Sequence, residues 1–224
     1  ILADAAAHGV ESPIPQIRYH LAELECRAGN WDAAMEHARE SRAGAQRIRM
    51  GSMSSEGHFA VGMVEAHLGR AEPARLAALE GLRVAEAAGE ILLLIPNLAV
   101  LGFLELSLGR PTEADAFLSR AVELEQAMGV REPAYFRMVP DEVEALVGVG
   151  RLDEAEALLA PFEAAGRSLD RAWAMATGAR CQALVFAARG DLQGASDAAD
   201  EAVRHHDRLP LPFELGRTLL VRGA

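Results

Sequence analysis

The chain of 224 residues has no lysine: all 22 of its basic residues are arginines. A complete GxxxxGK[ST] nucleotide loop therefore cannot lie within it, and neither can a Schiff-base lysine. Aromatic residues make up only 5% of the chain against 50% hydrophobic overall, and this Ala/Leu-rich balance favours helix over sheet. Positive charge is also short, with 33 acidic residues giving a net charge of −11. That argues against direct nucleic-acid contact or an anionic membrane surface, both of which draw on clustered positive charge. Cysteine is limited to Cys26 and Cys181, far apart and in no metal or redox spacing, which points to reduced thiols in a cytoplasmic protein. The longest apolar run, Ile91 to Leu106, is broken by Pro96, Asn97 and Glu105. It is too short for a membrane span and predicts a core helix. With no initiator Met and no signal-peptide pattern, the chain is expected to be a segment cut from a longer array.

What is present is a repeat. AGNWDAA, LGRAEPA, LGRPTEA, VGRLDEA and RGDLQGA place glycines at Gly29, Gly69, Gly109, Gly150 and Gly190, spaced 40, 40, 41 and 40 residues apart. Five residues after each glycine stands an alanine: Ala34, Ala74, Ala114, Ala155 and Ala195. Seven before it stand Ala22, Gly62, Gly102, Val143 and Ala183, four of them small. A glycine between two apolar-periodic stretches predicts a left-handed turn joining antiparallel helices. The alanine, one turn into the second helix, and the small residue on the first then mark a close crossing. Asp32, Glu72, Thr112, Asp153 and Asp191 are placed to cap the second helix or complement its dipole.

First helices are predicted at 16–28, 56–68, 96–108, 134–149, 172–189 and from 212, and second helices at 31–45, 72–88, 112–128, 152–165 and 192–208. Gly89, Gly129 with Pro133, Gly166, and Pro210 with Pro212 separate the hairpins. Gly44–Gly57 is the least regular connection, a mobile loop or an extension of the second helix to Met50. The expected fold is all-α, an α-solenoid of helical hairpins with a period of about 40 residues. It is one array over 1–224: a tail at 1–15, repeats at 16–55, 56–95, 96–133, 134–171 and 172–211, and a further first helix at 212–224.

The order small residue, turn glycine and alanine resembles the tetratricopeptide pattern, lengthened from its usual period of 34. Repeats of this length resemble the helical array of MalT-type and other LuxR-type transcriptional regulators of the large ATP-binding class. The closing segment HHDRLPLPFELGRTLLVRGA is similar to the HxxLxxPFExARTLLxxG stretch of those proteins. His206, Leu209, Pro212, Phe213, Glu214, Arg217, Thr218, Leu219, Leu220 and Gly223 match it, and Gly216 replaces a more usual Ala. The resemblance implies a nucleotidase domain and a DNA-reading helix-turn-helix outside this chain. It also implies a sensor role for the array, which would bind an inducer or regulatory protein and govern self-association.

In tetratricopeptide register the first helices would line a concave groove. Tyr19, Phe59, Met63 and Phe103 supply an apolar wall there, and Glu23, Arg137, Glu144 and Arg180 supply polar anchors. Alternatively, the longer period rotates the register and these aromatics fill the core between helices. Glu201 and His205 form an i,i+4 pair without a third ligand, at a helix end where histidine complements the dipole in any case. No local signature argues for a catalytic set or a metal site, and no cofactor is expected. The sequence therefore points to a non-catalytic sensing region of a LuxR-type regulator, bound by a protein, peptide or small-molecule effector. A free-standing protein–protein scaffold and a peptide-pheromone receptor remain open beside it. Self-association as a homodimer is expected through Ile1–Ala7 or Leu215–Val221.

Overall fold

The computed structural model describes residues 14–47 and 51–223. Among them are eleven α-helices and no strand: α1 (Ile14–Arg27), α2 (Trp31–Arg47), α3 (Gly51–His67), α4 (Ala71–Ala88), α5 (Ile91–Ser107), α6 (Pro111–Met128), α7 (Val139–Gly148), α8 (Leu152–Ser168), α9 (Ala172–Ala188), α10 (Leu192–His206) and α11 (Pro212–Gly223). They fall into two compact units, Ile1–Leu104 and Glu105–Ala224.

The five turn glycines all have positive φ, from 71° to 84°. Each turn closes with two bonds: the glycine N–H donates to the carbonyl three residues back, and the next N–H reaches five back. At the first turn these are Gly29 to Cys26 (3.1 Å) and Asn30 to Glu25 (2.8 Å). At the last they are Gly190 to Ala187 (3.0 Å) and Asp191 to Phe186 (2.9 Å). This doubly bonded cap satisfies carbonyls that a helix end otherwise leaves open. The alanine N–H then closes the first turn of the next helix, as from Ala74 to the Arg70 carbonyl at 3.1 Å. Ala34, Ala74, Ala114 and Ala155 are fully buried, while Ala195 is half-buried. Of the expected caps, Asp191 accepts from the Gly194 N–H at 2.9 Å. Asp32, Glu72 and Asp153 instead lie inside the first turn, where they complement the dipole.

Within the first unit α1 packs on α2, α2 on α3 and α3 on α4, and α1 also lies against α3. The core is built from small side chains, Ala22, Ala38, Ala60, Val61 and Ala77, with Tyr19 against them. A Cβ on Gly62 would lie 3.3 Å from the Ala74 carbonyl oxygen and 3.3 Å from the Ala78 nitrogen, so the notch expected on α3 receives the backbone of α4. In the second unit neighbours from α6 to α11 pack in succession, and the alternate pairs α7·α9 and α9·α11 also meet.

Helix boundaries differ from expectation in four places. Helix α5 starts at Ile91 and carries Pro96 inside it, where the ring removes the N–H that would bond the Leu92 carbonyl. Helix α7 starts at Val139. The non-helical stretch before it is held by Glu132, which accepts two bonds from Arg171 and one from the Ala134 N–H. Gly166 does not break a helix; it lies within α8, where a Cβ would be 2.9 Å from that of Ala174. Of the stretch Gly44–Gly57, residues 44–47 and 51–57 are helical, and 48–50 lie outside the described residues. Gly57 sits where α3 crosses α2, and a Cβ there would be 2.6 Å from the Arg42 Cα.

Candidate binding faces

The eight residues expected to line a groove divide between the units. Tyr19, Glu23, Phe59, Met63 and Phe103 belong to the first, and Arg137, Glu144 and Arg180 to the second.

In the first unit, α1 and α3 bring Tyr19 edge-on to Phe59, with ring centroids 5.7 Å apart. Phe59 and Met63 are buried. The Met63 carbonyl accepts from His67 Nδ1 at 2.8 Å, and the His67 ring stacks on Phe103 at 4.9 Å. Glu23 pairs with Arg27 at 2.8 Å and with His20 at 3.5 Å. Burial pushes the Tyr19 hydroxyl well above its ordinary range, reinforced by the charges of Glu23 and Glu56 and by the bond it donates to Glu23. Glu56 is the residue that sequence reasoning left out of this set. Burial raises its carboxyl, with His20 opposing and Glu23 adding to the shift, and its Oε2 is buried without a hydrogen bond. Phe59 and Met63 thus belong to the packing between helices, with Tyr19, Glu23 and Glu56 half-buried beside them. A separate cleft of about 430 Å³ is lined by Asp32, Met35, Glu36, Arg39 and Glu40 of α2 with Leu68 and Arg70 of the turn after α3.

In the second unit, Arg137 lies over the Trp173 ring, 4.8 Å from its centroid. Glu144 and Arg180 join a network linking α7, α9 and α11. Arg217 on α11 reaches Asp141 and Glu144 on α7, both at 2.7 Å. Arg180 on α9 donates to Glu214 on α11 at 2.6 Å, and Glu214 also faces Arg217 at 3.5 Å. Burial raises the Asp141 carboxyl against the pull of Arg217. Burial works against the Arg217 charge, but Asp141, Glu214 and Glu144 hold the guanidinium firmly protonated. Beside this network His206 Nε2 bonds Thr218 Oγ1 at 2.9 Å, both residues being buried. Glu214, Arg217, His206 and Thr218 are all matched positions of the closing sequence stretch, so that stretch ties the last first-type helix to its neighbours. The resemblance was the only signal for these residues, and it named no partners for them.

A second buried carboxyl pair joins α6 to α7. Glu142 is buried, and its carboxyl rises to about 9 through burial, the neighbouring Asp115 charge and a hydrogen bond with Asp115, with Arg151 opposing. Burial thus favours the protonated form of Glu142 beside Asp115. Cys26 and Cys181 are free and buried, each thiol pushed up to about 12 by burial. Glu201 and His205 approach to 3.6 Å, and no group of three metal-ligating side chains occurs among the described residues. Among those residues no helix is long and apolar enough to cross a membrane.

No protein-family model matches the chain, and no curated protein matches its sequence. Solved structures do. BtubC from P. vanneervenii superposes with a TM-score of 0.69 at 17% identity, covering 93% of this chain and 87% of that one. The fold is tetratricopeptide-like. Rap protein in complex with Competence and Sporulation Factor superposes with a TM-score of 0.65 at 13% identity, over 93% of this chain and 64% of Rap. YrrB, a TPR protein with an unusual peptide-binding site, aligns over the whole chain at 18% identity with a TM-score of 0.47.

Proposed function

We propose that the chain is a non-catalytic binding module that takes a protein or peptide partner on the faces of its first-type helices. The observation that carries this reading is the half-buried set of Tyr19, Glu23 and Glu56, backed by buried Phe59, on the side-by-side helices α1 and α3. It combines apolar area with a few convergent polar groups, as binding sites do. In its fuller context we place the module as the sensing region of a cytoplasmic LuxR-type ATP-dependent regulator, on the closing stretch from His206 to Gly223 and the repeat length. The fold shared with Rap, which is seen in complex with Competence and Sporulation Factor, favours a second reading as a peptide receptor. A scaffold without link to transcription would use the same surface.

The test is selection of short peptides on the purified chain, with affinities measured by fluorescence anisotropy. Selected peptides should weaken by about tenfold or more with Tyr19→Ala or Glu56→Gln, and be unaffected by Leu24→Ala, an exposed site outside that surface. Peptides indifferent to all three changes would remove the reading. The gene context separates the remaining alternatives: a nucleotide-binding loop encoded upstream and a helix-turn-helix downstream support the regulator, and their absence leaves the scaffold or receptor.

A further inference from the structure

Arg180 is the most deeply buried charge of the second unit, with its side chain 1% exposed. Its Nη1 is held by Glu214, but Nε and Nη2 have no hydrogen-bond partner. Those two donors form the side-on edge of the guanidinium, the geometry that matches both oxygens of one carboxylate. Elsewhere in this chain the same edge is filled that way. Arg83 grips Glu80 through Nε and Nη2, Arg151 grips Glu154, Arg171 grips Glu132 and Arg189 grips Glu156. Those four pairs lie at the surface. Arg180 is buried, where an unmade charged bond is costly, and leaves the edge unpaired.

We propose that Arg180 is a receptor for a ligand carboxylate, gripped side-on by Nε and Nη2, whose entry displaces the internal carboxylate of Glu214. The surroundings set the terms of that exchange. Arg180 and Arg217 already face Asp141, Glu144 and Glu214, so a further carboxylate enters a site with no spare positive charge. Two carboxylates on one buried guanidinium repel, and Glu214, 22% exposed, has solvent to turn into. The charge around Arg180 is then the same before and after the exchange. Glu144, 33% exposed, is the other outward-facing member of the cluster, so access lies through movement of these two side chains. Because the Arg180–Glu214 pair joins α9 to α11, ligand entry loosens that tie while the Arg217 bonds to α7 remain. Lysine could not substitute at Arg180, since an ammonium cannot present two parallel donors.

The inference does not depend on a protein partner, so its test uses small ions. The Nε–Hε resonance of Arg180, assigned by its disappearance in Arg180→Lys, is followed during titration with sodium glutarate. Sodium chloride at matched ionic strength and sodium phosphate serve as comparisons. The expected result is a saturable shift with glutarate that chloride does not produce. In Glu214→Gln, which removes the competing charge while keeping the shape, the midpoint should fall about tenfold. Hydrogen exchange of the α11 amides should quicken as glutarate saturates. The proposal is overturned if glutarate moves the resonance no more than chloride does in both wild type and Glu214→Gln. A response to phosphate alone, or an Nε–H proton that sees only a bound water, would overturn it as well. Peptide binding at Tyr19 with a silent Arg180 would end this inference and leave the proposed function standing; a saturable Arg180 response with no peptide bound would do the reverse.

Discussion

The two units hold their helices together largely with different chemistry. In the first unit the buried ties are neutral. Ser41 donates to the Pro15 carbonyl at 2.7 Å, Ser55 to the Gly81 carbonyl at 2.8 Å, and Asn97 to Ser55 at 3.0 Å. In the second the ties are largely ionic and outward-facing: Arg151 to Asp115, Arg171 to Glu132, Arg189 to Asp153 and Arg208 to Asp170. Neutral buried bonds depend on close geometry and are indifferent to salt. Exposed ion pairs tolerate movement but are screened. The lesson is that one repeat pattern, fixed at its glycine and alanine, leaves the means of stacking free to vary.

The sharpest way to break the first unit is to spoil its close approaches. Gly57→Ala would drive a methyl into the α2 backbone at Arg42, where no side chain can yield. A loss of about 3 kcal/mol or more is expected in urea unfolding, in the range of core overpacking. Gly178→Ala in the second unit is the control, because its Cβ meets the flexible Glu163 side chain at 3.1 Å. There the helix-propensity gain should keep the change within about 1 kcal/mol.

Glu142 sets a pH dependence confined to the second unit. Its folded pKa of about 9 lies above its ordinary value of 4.5, so the folded state holds the proton more tightly than the unfolded one. Stability from this group is therefore full below about pH 4.5 and declines as pH rises towards 9. Glu142→Gln keeps a donor for Asp115 and removes the titration. Melting curves should show it stabilised at pH 8 and level with wild type near pH 4. A variant as pH-sensitive as wild type would show that the proton is not there.

A smaller effect is expected at the buried end of the second unit. Thr218→Val removes the hydroxyl that meets His206 Nε2 and leaves that nitrogen unsatisfied, at about 1 kcal/mol or somewhat more. Burial already disfavours the charged form of His206, so protonation offers no escape at neutral pH. The smallest change should come from salt. In 1 M NaCl, hydrogen exchange should quicken at the start of α8 and the end of α9, where Arg151 and Arg189 bridge to earlier helices, and stay unchanged around Ser55 and Asn97. Equal responses in both units would erase the distinction between them.

How much of this was legible follows from where each constraint acts. The turns were, because a left-handed glycine and an alanine one turn later are local requirements repeated five times. Helix starts were less so. Pro96 looks like a beginning, yet α5 runs through it at the loss of one helical bond, and the true start at Ile91 carries no capping residue. The late start of α7 depends on Glu132 meeting Arg171, 39 residues away, which no local pattern encodes. Gly57 looked like the end of a loop because glycine serves both turns and close crossings; only packing distinguishes them. For the candidate faces, register put Tyr19 and Phe59 in neighbouring repeats, where they meet, but did not foretell the burial of Phe59 and Met63. The ion network was not legible, since Arg217 reaches Glu144 across 73 residues, and opposite charges are too common in this chain to pair by eye.

One feature of the turns bears on how such a chain could be remade. At Gly69, Gly109, Gly150 and Gly190 a Cβ would meet nothing within 4 Å, so space is not what keeps these positions glycine. The handedness of the backbone alone does so. A mirror-image alanine, introduced by chemical ligation, is at home at positive φ and would restrict the unfolded chain without disturbing a contact. At each hinge, then, what the fold demands is a chirality that the genetic code can supply only by leaving the side chain out.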